Sequence, residues 1–323
     1  MDVLRTVRPR RLYFASDGPR PDRPGEAEAV ASTRELALSL VDWDCQVATL
    51  FRDDNLGCRR AIAGGISWFF EQEEAGIIFE DDVLPHLDFF RYCDALLTRY
   101  ETDHRVMHIG GSTLTDFDYS DETYFFSRYP MIWGFATWRR AWSQFTLDPL
   151  PREEMDHVVG SFRTEKERNY WRNLLEWFYG GGMDTWDYPW AVTIWRADGV
   201  SISSRTNLVS NIGFGDQATN TKRWKDFRGL GNRPRSGIGE IRHPASIEID
   251  DALDYKVFVD AYEKPPLPIH ALKILRHMIG MGWSSLARMT GGPALPTPVS
   301  QPLLGAAAPG SPSRERPEDT DTD

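Results

Sequence analysis

An α/β fold, a mixed and mostly parallel sheet with helices on both faces, is predicted by three observations. Through the first 110 residues, short apolar runs alternate with longer amphipathic stretches in the order strand, helix, strand, helix, strand. The run at 76–79 is apolar throughout and passes directly into three acids, as a buried strand does where it reaches a functional edge. A chain of 323 residues also buries roughly three-quarters of its unfolded surface, enough for a full α/β core.

The elements follow in order. Leu12-Tyr13-Phe14-Ala15 runs into Ser16-Asp17-Gly18-Pro19, a strand and its turn. A second strand is predicted over 47–51. Over 57–74, Ile62, Ile66, Phe69 and Phe70 fall at i, i+4, i+7 and i+8, the spacing of an amphipathic helix. The apolar strand 76–79 comes next, then a helix with Phe89, Cys93, Leu96, Leu97 and Tyr100 on one face. A strand over 105–109 ends at Gly110-Gly111. Beyond it, tryptophan concentrates around Trp133 to Trp138 and Trp186 to Trp190. Helices are predicted over 136–145, 164–179, 187–197 and 250–262, with a strand over 199–204. The stretch 205–245, rich in Gly, Asn, Thr and Arg, reads as long functional loops. These patterns divide the chain into 1–115, 116–262, an amphipathic helix within 263–290, and a disordered tail over 291–323.

Composition narrows the function classes. A net charge of −11 argues against nucleic acid bound through a basic face. The three cysteines, Cys45, Cys58 and Cys93, lack paired spacing, so neither a disulfide framework nor a zinc site is expected and a cytoplasmic setting fits. No apolar run reaches the roughly 18 residues of a membrane span. One segment has membrane character of another kind. Over 269–289, Leu272, Leu275, Ile279, Trp283 and Leu286 form a helical stripe flanked by Lys273, Arg276, His277 and Arg288. That pattern suits peripheral contact with an anionic surface or packing on the body of the protein.

Four groups of residues could carry chemistry. Glu80, Asp81 and Asp82 follow a buried strand, where adjacent carboxylates repel and a hard cation, Mn²⁺ or Mg²⁺, relieves the repulsion; the alternative is a solvated acidic turn. Arg59 and Arg60 lie in the first turn of a helix, where the dipole disfavours cations unless a phosphate is bound or Asp53 and Asp54 pair with them. Asp187 could deprotonate an acceptor hydroxyl or serve as a helix N-cap, with Asp184 the competing carboxylate. Of Trp133, Trp138, Trp186 and Trp190, one or two are expected to face a ligand and the rest to be core.

The stretch GIIFEDDVLPHLDFF at 76–90 resembles the acidic metal-binding motif of nucleotide-sugar glycosyltransferases of the Rossmann-like GT-A fold. It is most similar to bacterial nucleotide-diphospho-sugar transferases and more distantly to the N-acetylglucosaminyltransferase I family. The order of motifs agrees over roughly residues 10–225. Asp17-Gly18 ends a strand, and Glu80-Asp81-Asp82 follows. Next come Arg128-Tyr129-Pro130-Met131-Ile132-Trp133-Gly134, Trp186-Asp187, Ser204-Arg205-Thr206 and the loop Gly213 to Gly215. The resemblance implies a metal-dependent, inverting hexosyltransferase of polysaccharide biosynthesis. It would take a nucleotide-diphosphate sugar as donor and a glycan or lipid-linked acceptor. It implies Asp82 as metal ligand, Glu80 and Asp81 toward the ribose and sugar of the donor, and Asp17 on the base. Asp187 would be the catalytic base, and the loop 211–221 would close over the diphosphate. Residues 1–115 would then bind the nucleotide sugar and 116–262 the acceptor. Relatives carry a further strand and an Arg-bearing loop ahead of the helix in which this chain begins. The expectation is therefore a sheet short of one strand and a nucleotide pocket short of one wall. Two alternatives stand beside this: a truncated or degenerate member that binds without turnover, and a nucleotidylyltransferase. The second would need a Gly-rich loop with Lys or Arg near the first strand, which the sequence lacks.

Overall fold

The computed structural model describes residues 1–117, 120–213 and 235–263, and residues 1–263 form one compact unit. In chain order the elements are α1 (Asp2–Val7), β1 (Arg11–Ser16), α2 (Glu26–Ser39), β2 (Gln46–Phe51), α3 (Cys58–Gln72), β3 (Ala75–Ile78) and β4 (Val83–Pro85). Then come α4 (Leu87–Arg99), β5 (Val106–Gly110), β6 (Tyr124–Ser127), β7 (Phe135–Trp138) and α5 (Arg139–Trp142). The remainder are α6 (Arg152–Gly160), α7 (Glu165–Trp177), a π turn (Phe178–Gly182), α8 (Asp187–Arg196), β8 (Val200–Ser204), β9 (Val209–Asn211) and α9 (Asp251–Ala261).

The fold is mixed α/β. A five-stranded sheet runs in the order β3-β7-β5-β8-β6, and β1 and β2 make a separate parallel pair. Within the five strands only β5 and β8 pair in parallel; β3–β7, β5–β7 and β6–β8 are antiparallel. These registers make β3, β5 and β8 point the same way, with β7 and β6 opposed. The residues following β3, β5 and β8 therefore gather at one edge. Strands from both halves of the chain interleave in this sheet. Side chains connect β1 to the end of α3, the helix that leads into β3: the Tyr13 ring meets Trp68 and Phe69 edge-on, and its hydroxyl donates to Glu73 at 2.6 Å.

Helix α4 shows how the pattern becomes packing. Phe89, Tyr92, Cys93 and Leu96, one face at helical spacing, are completely buried. Each such side chain contributes roughly 1.5–3 kcal/mol relative to exposure. His86 caps the helix, its Nδ1 accepting from the Asp88 N–H at 3.1 Å.

Two differences from the sequence expectation have clear causes. The stretch 136–145 is not one helix but β7 followed by the single turn α5. Phe135, Ala136, Thr137 and Trp138 are all buried between β3 and β5, and a run buried on both faces carries no helical period. Helix α2, absent from the sequence reading, buries none of its residues, and Leu36 and Leu38 on it are exposed. Its apolar positions therefore never had to form one stripe. Within 205–245, β9 pairs with β4, while 214–234 lies outside the described residues. The stripe at 269–289 and the tail from 291 also lie outside them. Among the described residues no helix is long and apolar enough to cross a membrane.

Candidate functional site

The site is built where β3 ends. Glu80, Asp81 and Asp82 occupy the turn from β3 into β4, and the antiparallel register Val83↔Asn211 brings β9 beside them. The Ile212 N–H donates to the Asp82 carbonyl at 2.8 Å, and Asn211 Nδ2 donates to Asp82 Oδ1 at 3.3 Å. Gly213 packs so tightly on the Asp82 carboxylate that a Cβ has no room there.

Helix α8 delivers the fourth carboxylate from more than a hundred residues away. Phe135 pairs with Ile78 in the sheet, and the Trp186 indole stacks on Phe135 at 5.7 Å. Trp186 precedes Asp187, the first residue of α8, and its side chain lies near enough to Glu80 to favour that carboxyl's charged form. The helix is bolted down one turn later by Trp190, whose Nε1–H donates to His108 Nδ1 at 3.1 Å. Asp187 Oδ1 accepts from the Thr185 hydroxyl at 2.5 Å and from the Tyr188 N–H at 3.0 Å. Among the described residues Oδ2 has no hydrogen-bond partner. The sequence expectation of an N-cap is displaced by one position, since Trp186 stands at the cap and Asp187 inside it.

Electrostatics ties the group together. Burial, then the charges of Asp82, Asp187 and Asp81, push the Glu80 carboxyl up to about 7, with the nearby Trp186 side chain opposing the shift. Burial and the Asp81 charge raise Asp82, with Asn211 opposing. Burial raises Asp187, while its bonds from Thr185 and Tyr188 oppose the shift. Loss of water thus holds Glu80, Asp82 and Asp187 nearer protonation, and neighbouring negative charge adds to it for Glu80 and Asp82. Among the described residues no three His, Cys, Asp or Glu side chains form a ready-made metal cage. The oxygen donor set nevertheless fits a Mg²⁺-type ion, which commonly takes one or two protein carboxylates and completes its shell from phosphate oxygens and water.

The other sequence candidates lie elsewhere. Asp17 accepts from the Leu56 N–H with both oxygens at 3.0 Å and from the Gly57 N–H at 3.1 Å, tying the end of β1 to the entry of α3. Arg59 donates to the Leu147 carbonyl at 2.5 Å and lies over the Phe178 ring, and among the described residues it makes no ion pair with Asp53 or Asp54. Asp184 is exposed and faces Gly57, where a Cβ would come within 2.9 Å of its Oδ2. Asp187, not Asp184, belongs to the carboxylate group. Trp138, Trp186 and Trp190 are buried, leaving Trp133 as the partly exposed indole of the four. Sequence reasoning missed Thr185 and Asn211, which orient Asp187 and Asp82. A hydroxyl two residues before a helix-start acid is the local signal for the first; no local signal exists for the second. Arg128 of the Arg-x-Pro-x-x-Trp-Gly run is structural, pairing with Asp254 at 3.0 Å and Asp251 at 3.3 Å.

Compared with known proteins, the chain matches no family model and no curated protein.

Proposed function

We propose that the protein is a glycosyltransferase of GT-A type, moving a sugar with inversion from a nucleotide-diphosphate donor to a glycan or lipid-linked acceptor hydroxyl. The observation carrying this is the meeting of Glu80 and Asp82, after a sheet strand, with Asp187 at the mouth of a helix, each carboxyl raised by burial. Asp187 Oδ2 takes the proton of the acceptor hydroxyl as its oxygen bonds to the anomeric carbon and the bond to the diphosphate breaks. A carboxylate raised above its usual range is the stronger base for that step. Thr185 and the Tyr188 amide hold Oδ1 and so leave Oδ2 for the acceptor. In this reading Glu80 and Asp81 take the ribose and sugar of the donor and Asp17 the base. Asp82 is the residue that would hold Mn²⁺ or Mg²⁺, which supplies charge neutralisation of the departing diphosphate when bound. Arg59 is left as a brace between α3 and the Leu147 carbonyl.

Calorimetry with UDP- and GDP-sugars, with and without Mn²⁺, tests the proposal. Metal-dependent donor binding that disappears in Asp82→Asn is expected. Donor binding that ignores both the metal and that substitution would overturn it.

A further inference from the structure

Strand β9 closes against Asp82 and delivers an amide to its carboxylate. Asn211 ends β9 opposite Val83, and only 6 % of its surface is exposed. Its Nδ2 lies 3.3 Å from Asp82 Oδ1, while its Oδ1 accepts from the Gly213 N–H at 2.7 Å. The main chain holds the two residues together as well, since the Ile212 N–H donates to the Asp82 carbonyl at 2.8 Å. The amide contact falls just beyond the usual N–H···O range of roughly 2.7–3.2 Å, so it is a weak hydrogen bond.

That spacing suits another use. Oxygen ligands of an octahedral Mg²⁺-type ion sit about 2.1 Å from the metal, which puts neighbouring ligands about 3 Å apart. Hard cations take amide carbonyl oxygens as well as carboxylates. The terminal torsion of an asparagine is roughly two-fold, so a half-turn about Cβ–Cγ exchanges Oδ1 and Nδ2 with little displacement of the strand. Turned that way, the Asn211 Oδ1 stands beside Asp82 Oδ1, and the two oxygens form one edge of a coordination shell. The half-turn gives up the bond from Gly213 and sets two N–H groups toward each other, so it needs a cation to compensate. Asp82 is partly exposed, which leaves that cation a route from solvent.

We propose that Asn211 is a second protein ligand of the cation on Asp82, binding it through the side-chain carbonyl. This rests on the reading of Asp82 as the residue that holds Mn²⁺ or Mg²⁺. Mn²⁺ alone and Mn²⁺ with UDP are the probes on the full chain, with free Mn²⁺ counted by electron paramagnetic resonance. Asn211→Leu should weaken Mn²⁺ binding by roughly 10–100-fold, a loss that a residue merely orienting Asp82 would also give. Asn211→Asp separates the two roles. Ionised, it cannot donate to Asp82 but offers an oxygen to the metal, and it should bind Mn²⁺ at least as tightly as the wild type. Asn211→Cys supplies a soft ligand instead; it should gain a thiolate–Cd²⁺ ultraviolet band over the wild type, lost when Asp82→Asn is added. Mn²⁺ binding unchanged in Asn211→Leu would overturn the proposal. So would Asn211→Asp binding as weakly as Asn211→Leu, or no Cd²⁺ band in Asn211→Cys. Failure of the underlying reading is separate: a wild type that binds no Mn²⁺, or Asp82→Asn that binds it normally, removes the Asp82 site and this ligand with it.

Discussion

Acidification should loosen the protein through one buried imidazole. His108 in β5 is fully buried and stacks on Phe135 with ring centres 4.9 Å apart. An indole N–H can only donate, so the 3.1 Å bond from Trp190 makes His108 Nδ1 an acceptor. The proton then sits on Nε2, which donates to the Met131 carbonyl at 3.1 Å. The neutral ring is satisfied at both nitrogens, and protonation would both break the Trp190 bond and bury a charge. Burial accordingly lowers the His108 pKa to about 3, against about 6.5 in an unfolded chain. The folded pKa is the lower one, so this contribution is complete above about pH 6.5 and is lost as pH falls toward 3. By linkage the loss is about 2 kcal/mol at pH 5, about 3 at pH 4 and about 5 in full, a large share of the roughly 5–15 kcal/mol that holds typical domains folded. Urea unfolding followed by tryptophan fluorescence from pH 7 to pH 4, on the wild type and His108→Gln, isolates the effect. Gln does not titrate, so the stability gap between the two should shrink by about 2 kcal/mol between pH 7 and pH 5. Parallel curves over that interval would refute the assignment of a neutral, acceptor His108.

Other outcomes follow from named contacts. Asp187→Asn should lower the sugar-transfer rate by roughly 10²–10⁴ with little change in unfolding midpoint, and the same loss in Asp184→Asn instead would identify the wrong carboxylate. Gly18→Ala would drive its Cβ into the Asp53–Asp54 backbone, the Asp54 carbonyl carbon being the nearest atom; a loss of about 1–3 kcal/mol is expected, measured by urea titration. Asp254 is 1 % exposed and accepts from Ser127 Oγ at 2.5 Å and from Arg128. Asp254→Ala leaves Arg128 with Asp251 alone and the buried Ser127 hydroxyl without its acceptor, and should cost about 1–3 kcal/mol, read by thermal unfolding; no measurable loss would show that α9 is not latched by this pair.

The elements that a local pattern specifies were legible in the sequence. The face of α4, the spacing of Ile62, Ile66, Phe69 and Phe70 on α3, and the apolar run into Glu80-Asp81-Asp82 are all short-range, and the structure keeps each within a residue or two of where the pattern puts it. What depends on partners far along the chain was not legible. Residues 135–138 become a strand because β3 and β5 stand on either side of them, and nothing within those four residues encodes that. The same holds for the site. Glu80, Asp82 and Asp187 could each be named as acids at element ends. Their meeting needed the stack of Trp186 on Phe135 and the bond from Trp190 to His108, two contacts that exist only once the sheet is assembled. Tertiary structure likewise set Asp187 close enough to act on the charge of Glu80, left Asp184 exposed, and turned Arg59 toward Leu147 and Phe178. A helix-start cation is free in sequence to meet an anion, and in the fold it takes the nearest carbonyl and ring that packing leaves within its reach.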